Sequence, residues 1–243
     1  MSGAQDQAGI VLQGAGLTIR GRVILSDLTL TLTEARIGIV GRNGSGKTSL
    51  LRLIAGLVSP SRGVVRVDGI DPARDRKAML AHLGILFQNP DHQILMPTVA
   101  EELAFGLRQM GRSDAETVAR AALSAEGRAH WADQPVSTLS HGQKQWLCLM
   151  SVLLMNPATI LLDEPFAALD LPTEARLTRR LAALPQRLIT ISHAPETVAR
   201  CDRLLWLDRG HLRADGPPDE VIPAFTAEMA RLGEADADPH LSR

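Results

Sequence analysis

Arg36-Ile-Gly-Ile-Val-Gly-Arg-Asn-Gly-Ser-Gly-Lys-Thr48 is the stretch that decides the fold of this chain. Arg36 to Val40 is a short apolar run of the kind that forms a buried strand. Gly41 to Thr48 then fits the pattern GxxxxGK(S/T), and Thr48 to Leu57 is apolar at helical spacing, ending before Ser59-Pro60. Strand, glycine-rich loop and helix, in that order, are the context in which this pattern has a physical meaning. Gly41, Gly44 and Gly46 let consecutive backbone N–H groups, those of Arg42, Asn43 and Ser45 among them, curl inward around a phosphate. The helix that follows points its positive dipole end at the same place. Lys47 is one of only three lysines in the chain and supplies a point charge for the outer phosphates. The Thr48 hydroxyl can hold Mg²⁺.

Around this loop the chain alternates strands with helices, which favours an α/β fold with a largely parallel sheet. Residues 10–19 and 23–32 alternate apolar and polar like two antiparallel strands, and Val64 to Val67 and Leu83 to Phe87 read as further strands. Residues 97–155 change character. Pro97-Thr98 starts a helix whose Val99, Leu103, Leu107 and Met110 share one face, a stripe best read as core packing. Helices are also expected from about Asp114 to Ala125 and from Gly142 to Met155, the latter apolar nearly all round and so buried. The sheet resumes at Thr159–Asp163 and Leu188–Ser192. Leu204–Asp208 and His211–Ala214 flank an Arg209-Gly210 turn, which suggests a terminal hairpin. After Gly216-Pro217-Pro218 one more helix and an acidic, alanine-rich tail are expected. The domain therefore spans residues 9–216, with a helical subdomain at about 97–155, and residues 217–243 are a C-terminal helix and tail.

Composition narrows the class. The chain has 243 residues, 45% hydrophobic and 22% charged, with 26 Lys+Arg against 27 Asp+Glu. A net charge of −1 argues against a general nucleic-acid or membrane-surface binder, so any anion site must be local. Two cysteines, Cys148 and Cys201, exclude a disulfide framework and point to a reducing compartment. The apolar stretch Leu147–Met155 is too short to span a bilayer, and the opening MSGAQDQAG has no charged-then-apolar signal pattern. A soluble, cytoplasmic protein is expected.

A second site element follows the apolar strand Ile160-Leu161-Leu162. Asp163 at its end is placed to orient a metal, and Glu164 follows at once. The chain must turn at the strand end, with Pro165 enforcing the break, so Glu164 could reach an attacking water while Asp163 addresses the metal.

Leu139-Ser-His-Gly-Gln-Lys-Gln145 opens a buried helix between these two elements. With Gln88 after a strand, Ala167-Ala-Leu-Asp170 after Glu164, and His193 after Leu188-Ile-Thr-Ile-Ser192, the set resembles the ATP-binding subunits of ABC transporters over residues 10–215. The resemblance implies a P-loop NTPase fold with a RecA-like core sheet, an N-terminal antiparallel β-subdomain and the helical insert. It also implies ATP and Mg²⁺ as ligands. By this resemblance Gln88 senses the γ-phosphate and metal and touches the transport subunit. Ser140, Gly142 and Gln143 form the signature loop, Asp170 crosses a dimer interface, and His193 contacts the γ-phosphate. Catalysis falls to Glu164, His193 and Lys47, and metal binding to Thr48, Gln88 and Asp163. A physical argument for a dimer stands beside this. One cradle and one signature lie on different lobes, and the helix start at Ser140 is a second anion-binding surface. ATP pinched between two chains would give two sites in a head-to-tail pair, from a homodimer or with a paralogue.

Phe87-Gln-Asn-Pro-Asp-His-Gln93, continuing through Pro97-Thr-Val-Ala-Glu-Glu-Leu-Ala-Phe-Gly106, looks like the energy-coupling factor (ECF) type, importers of vitamins and of cobalt or nickel ions. Ser140-His-Gly-Gln143, Leu147-Cys-Leu-Met150 and Asp163-Glu-Pro-Phe-Ala167 are similar to the biotin-importing members. That implies an ATPase at the cytoplasmic face of the membrane, working with a transmembrane coupling subunit and a substrate-binding membrane subunit, and no nucleic acid. The string Leu139–Leu147 also resembles urea and branched-chain amino-acid importers and does not decide the substrate; the resemblance implies an ECF-type importer of a vitamin, biotin first, with a cobalt or nickel ECF importer or an ordinary ABC importer as the alternatives. A non-transport ABC ATPase would carry a coiled-coil insertion or two fused units, and a P-loop small-molecule kinase would leave the signature string unexplained.

The sequence departs from the family in three places. Tyrosine is absent and the first aromatic ring other than His82 is Phe87, so no aromatic precedes the cradle to stack on adenine. Ile19 or Arg20 is expected to cover the base instead. His141 stands for a signature glycine, and Ala168 for a glycine before Asp170. Lys144 and Gln145 are read as helix-surface groups.

Overall fold

The structure is a computed structural model that describes residues 9–167 and 169–234. Strands β1 (Ile10–Ile19), β2 (Arg22–Leu32) and β4 (Arg62–Val67) form an antiparallel sheet in the order β2-β1-β4. The six-stranded main sheet has the order β5-β6-β7-β3-β8-β9, from β3 (Arg36–Val40), β5 (Leu83–Leu86), β6 (Thr159–Asp163), β7 (Arg187–Ile191), β8 (Arg203–Asp208) and β9 (His211–Gly216). Its pairs are parallel except β8–β9, the hairpin expected around Arg209-Gly210.

The parallel strands read as unbroken apolar runs because both faces are covered. Leu161, Ile189, Ile37, Ile39, Leu205 and Leu207 point one way, into a core shared with helix α1 (Lys47–Ile54) and the small sheet. Ile160, Leu162, Leu86 and Leu188 point the other way, against helices α5 (His141–Leu154) and α6 (Leu171–Ala182). Further along that second face, Val40, Leu204 and Trp206 pack on the helical turn α7 (Pro195–Val198) and on helix α8 (Pro218–Glu234). The period of two within each strand sends neighbouring residues into separate cores.

Helix α1 is shorter than its apolar spacing suggests. It stops at Ile54 because Gly56 takes φ +67, and the Leu57 N–H folds back to the Arg52 carbonyl at 2.9 Å. A β-carbon at Gly56 would stand 2.1 Å from the Pro72 carbonyl oxygen, so no other residue fits that turn.

The insert is helical as expected. Helix α3 (Val99–Gln109) starts at Thr98, whose N–H donates to Glu101 at 3.2 Å, and α4 (Ala115–Ala125) follows. Val99, Leu103 and Leu107 are buried with Ala115, Ala119, Leu123, Leu147 and Met150 in a core of their own, while Met110 is only half-buried. No residue of α5 is exposed. Two helices go beyond what apolar spacing announces: α2 (Arg76–His82), begun by Asp75, and α6, begun by Asp170. Each is carried by a capping side chain and a narrow apolar edge, only Leu177 and Leu181 being buried in α6. Ala168 and the tail beyond 234 lie outside the described residues. Among the described residues no helix is long and apolar enough to cross a membrane.

Candidate functional site: a phosphate cradle facing a carboxylate pair

The loop after β3 closes on itself around Lys47. Its ammonium donates to the carbonyls of Gly41 at 2.7 Å and Arg42 at 3.1 Å. Gly41, with φ +156, runs so close to β8 that a β-carbon would lie 2.3 Å from the Leu207 carbonyl oxygen. Gly46 begins α1 at φ +105, and α1 has no side-chain cap and no acidic residue in its first turn. Its positive end is therefore open toward the loop. The Ser45 hydroxyl is buried without a partner, an orphaned polar atom inside the loop that an anion's oxygen could satisfy. Burial pushes the Lys47 ammonium below its ordinary pKa, and the charges of Glu164 and Asp163 pull it back.

The carboxylates stand across the same cavity, of about 1130 Å³. Asp163, 5% exposed at the end of β6, accepts a hydrogen bond from the Thr48 hydroxyl at 3.3 Å. Burial raises the pKa of Asp163, the Thr48 hydrogen bond lowers it and the nearby Glu164 charge raises it, the net direction being upward. A hydroxyl and a carboxylate meeting beside a phosphate loop are the hard-oxygen set that suits Mg²⁺, which is commonly bound through one or two carboxylates and substrate phosphates. Among the described residues no group of three or more His, Cys, Asp and Glu side chains could hold a metal without such help.

Glu164 turns the chain by its own conformation. It takes φ +50, a left-handed value that is uncommon outside glycine, while its N–H still completes the ladder to the Ile191 carbonyl at 3.0 Å. The turn thus precedes Pro165 instead of being enforced by it. It brings the Glu164 carboxylate against Nδ1 of His193, which follows β7. Gln88 lines the same cavity, just beyond β5. Its segment is held by Gln93, whose side chain accepts from the Phe87 N–H at 3.1 Å and donates to the Ile85 carbonyl at 3.1 Å.

The signature residues gather elsewhere. Ser140, Gly142 and Gln143 line a second cavity of about 480 Å³ together with Asp170, and it shares no lining residue with the first. Ser140 caps α5: its hydroxyl accepts from the Gln143 N–H at 3.4 Å, and its own N–H donates to Gln143 Oε1 at 2.7 Å. Asp170 caps α6 by accepting from the Thr173 N–H at 2.8 Å, and hydrogen bonds from Thr173 hold its carboxyl below the usual range. His141 does not line this cavity, and its Nδ1 is buried without a partner.

Two expectations about neighbouring residues need correction. Ile19 and Arg20 do not line the cradle cavity; past the Arg20-Gly21 turn, Arg22 and Ile24 do. Gln145 is not a surface group but is 2% exposed, and its side-chain amide donates to the Pro165 carbonyl at 3.3 Å. It lies on the stripe of Cys148, Leu149 and Val152, at i+3, i+4 and i+7, so helical spacing could have found it. Lys144 remains a surface group of the helix, ion-paired with Asp91 at 2.7 Å. Sequence reasoning also missed Phe225, Thr226 and Met229 of α8, which line the cradle cavity from beyond residue 216.

Residues 25–167 match the family model described as ABC transporter. The chain is 54% identical over 219 residues to a biotin transport ATP-binding protein, BioM, of Rhodobacter capsulatus, covering 89% of this chain and 94% of that one. It is 42% identical over 218 residues to the protein of the same name from Rhizobium etli, covering 89% and 97%. Among solved structures it is similar to cbiO1 of Clostridium perfringens, described as part of the ABC transporter complex cbiONQ. The TM-score is 0.74 with 28% identity, over 94% of this chain and 98% of that one.

Proposed function

The chain belongs to the ABC transporter family as an ATP-binding subunit, and from that premise we propose that it powers an ECF-type importer whose cargo is biotin. ATP hydrolysis coupled to transport is the activity of such subunits. Two chains, identical or paralogous, each offer the cradle of one to the signature of the other. Both then dock at the cytoplasmic face of the membrane on a transmembrane coupling subunit, beside a separate subunit that binds the vitamin. The observation that carries the two-chain reading is the separation of Lys47, Asp163 and Glu164 from Ser140, Gly142 and Gln143 into distinct cavities of a single chain. The biotin reading is supported by the two relatives so named.

Within each site the loop Gly41–Thr48 binds the phosphates through backbone N–H groups and the Ser45 hydroxyl, and Lys47 compensates charge that builds on the outer phosphates. Thr48, Asp163 and Gln88 would hold Mg²⁺, which would neutralise negative charge on the phosphates. Glu164 orients the attacking water and takes its proton, and His193, touching Glu164, keeps that carboxylate aimed and faces the γ-phosphate. The partner's signature helix contributes its N-terminus at Ser140 to the same phosphate.

The reading is tested by co-purifying the chain from membranes and measuring biotin uptake in cells with and without it. Recovery with a coupling subunit and a small vitamin-binding membrane protein, with loss of uptake in its absence, is the expected result. Recovery with permeases served by a periplasmic binding protein would overturn it.

A further inference from the structure

The cradle cavity has a wall that the phosphates do not use. Phosphate chemistry accounts for Gly41–Thr48, Gln88, Asp163, Glu164 and His193. Ile24 from β2, and Phe225 and Met229 from α8, line the same cavity and offer an anion nothing. Their chemistry suits a flat, weakly polar ring. At about 1130 Å³ the space slightly exceeds the ~300–1,000 Å³ of ordinary small-molecule sites, so it has room beyond the phosphates.

We propose that helix α8 is the nucleoside-binding wall of the ATP site, with Met229 and Thr226 in contact with the nucleoside and Phe225 anchoring them. This rests on the reading of the cavity as an ATP site. The chain has no tyrosine, and of its Phe and Trp rings Phe225 is the one that lines this cavity. Phe225 is 4% exposed and set edge-on to Trp206 of β8, with ring centroids 5.6 Å apart, so much of its surface is already committed. Met229 is one helical turn further along and only half-buried, which leaves its polarisable thioether free to lie on a base. Thr226 adds a hydroxyl beside them. Arg22 lines the cavity from the β-subdomain and can set its guanidinium on the ring.

The helix is held in register with the cradle by packing. Val221 and Phe225 are buried in one cluster with Val40, the residue immediately before Gly41, and with Trp206. A segment outside the main motifs is therefore packed against the strand that leads directly into the phosphate loop.

Full-length protein carrying Met229→Ala or Met229→Leu, and the unaltered chain, are titrated with ATP and separately with inorganic tripolyphosphate. Tripolyphosphate reports an intact cradle and carries no nucleoside. Met229→Ala is expected to weaken ATP binding about two- to tenfold, leave tripolyphosphate binding unchanged, and be largely restored by Met229→Leu. ATP affinity that is unchanged in Met229→Ala overturns the proposal. So does an equal loss for both ligands, which would make the residue a support of the cradle. Failure of the unaltered chain to bind either ligand would instead overturn the ATP-site reading, and this proposal with it.

Discussion

The Thr48 hydroxyl donates to Oδ1 of Asp163 at 3.3 Å across 115 residues of sequence, joining the first turn of α1 to the end of β6. The two belong to motifs that nothing in the linear order connects. β3 and β6 lie on either side of β7, and that adjacency sets the phosphate loop beside the carboxylate. A site that needs both a hydroxyl and a carboxylate at one point is thus assembled by strand order.

Asp163→Asn separates function from stability. The Asp163 pKa is raised in the folded protein, chiefly by burial, above its unfolded value of about 3.9. Its charged form is therefore disfavoured in the fold, a destabilisation absent below the unfolded pKa, growing as pH rises from the unfolded value to the folded one, and constant above it. The substitution is expected to raise the melting temperature of the nucleotide-free protein at neutral pH, by an amount that shrinks as pH falls toward 4. Hydrolysis should fall about 100-fold or more. Thermal scans across pH, beside a phosphate-release assay, check both; a gain independent of pH would contradict the burial argument.

Glu164→Gln keeps the shape of the residue and its turn but removes the proton acceptor. ATP binding should survive, turnover should fall about 10²- to 10⁴-fold, and ATP should drive the variant into a stable dimer on light scattering. Ordinary turnover in this variant would refute the role given to Glu164.

Lys47→Ala removes an ammonium that is held by the Gly41 and Arg42 carbonyls and that the proposed function assigns to the outer phosphates. ATP affinity should drop about 10- to 100-fold, the range for a hydrogen bond to a charged group. Because burial already disfavours that charge, the melting temperature of the nucleotide-free protein should fall little. Calorimetric titration and a thermal scan distinguish this from a fold defect.

Gln145→Ala breaks the bond between the signature helix and the Pro165 carbonyl, next to Glu164. The carbonyl is left without that donor, at a cost of about 1–3 kcal/mol, which for a chain of this size is a fall of very roughly 2–10 °C in melting temperature. If the contact also positions Glu164, kcat should fall while KM moves little. A stability loss with unaltered kcat would make Gln145 a packing residue alone.

Most of the architecture was legible because it is written in local patterns. Period-two alternation marks β1 and β2, apolar runs mark β3, β6 and β7, and Thr98 and Ser140 start their helices within a residue of where their chemistry places them. Helices α2 and α6 were not legible by the same signal, since few of their residues are buried and a capping aspartate begins each. Within the site, every residue tied to the phosphate loop and to the carboxylate strand lines one cavity. Arg22, Phe225, Thr226 and Met229 were not foreseen, because a residue that lines a cavity from outside the motif carries no spacing relative to it.

The order of residues alone determined the chemistry. A glycine-rich turn between strand and helix presents backbone N–H groups and a helix N-terminus to an anion, and the Asp163-Glu164 pair takes its reading from the apolar strand before it and from that loop. Only the tertiary structure decided which groups share a space. It put Asp163 beside Thr48, Glu164 against His193 and α8 along the cradle, and it put Ser140 and Asp170 in a different cavity. The reason is that proximity across a parallel sheet depends on the order of its strands and on what covers each face. Those follow from how all the apolar surfaces are buried together, and no single segment encodes them.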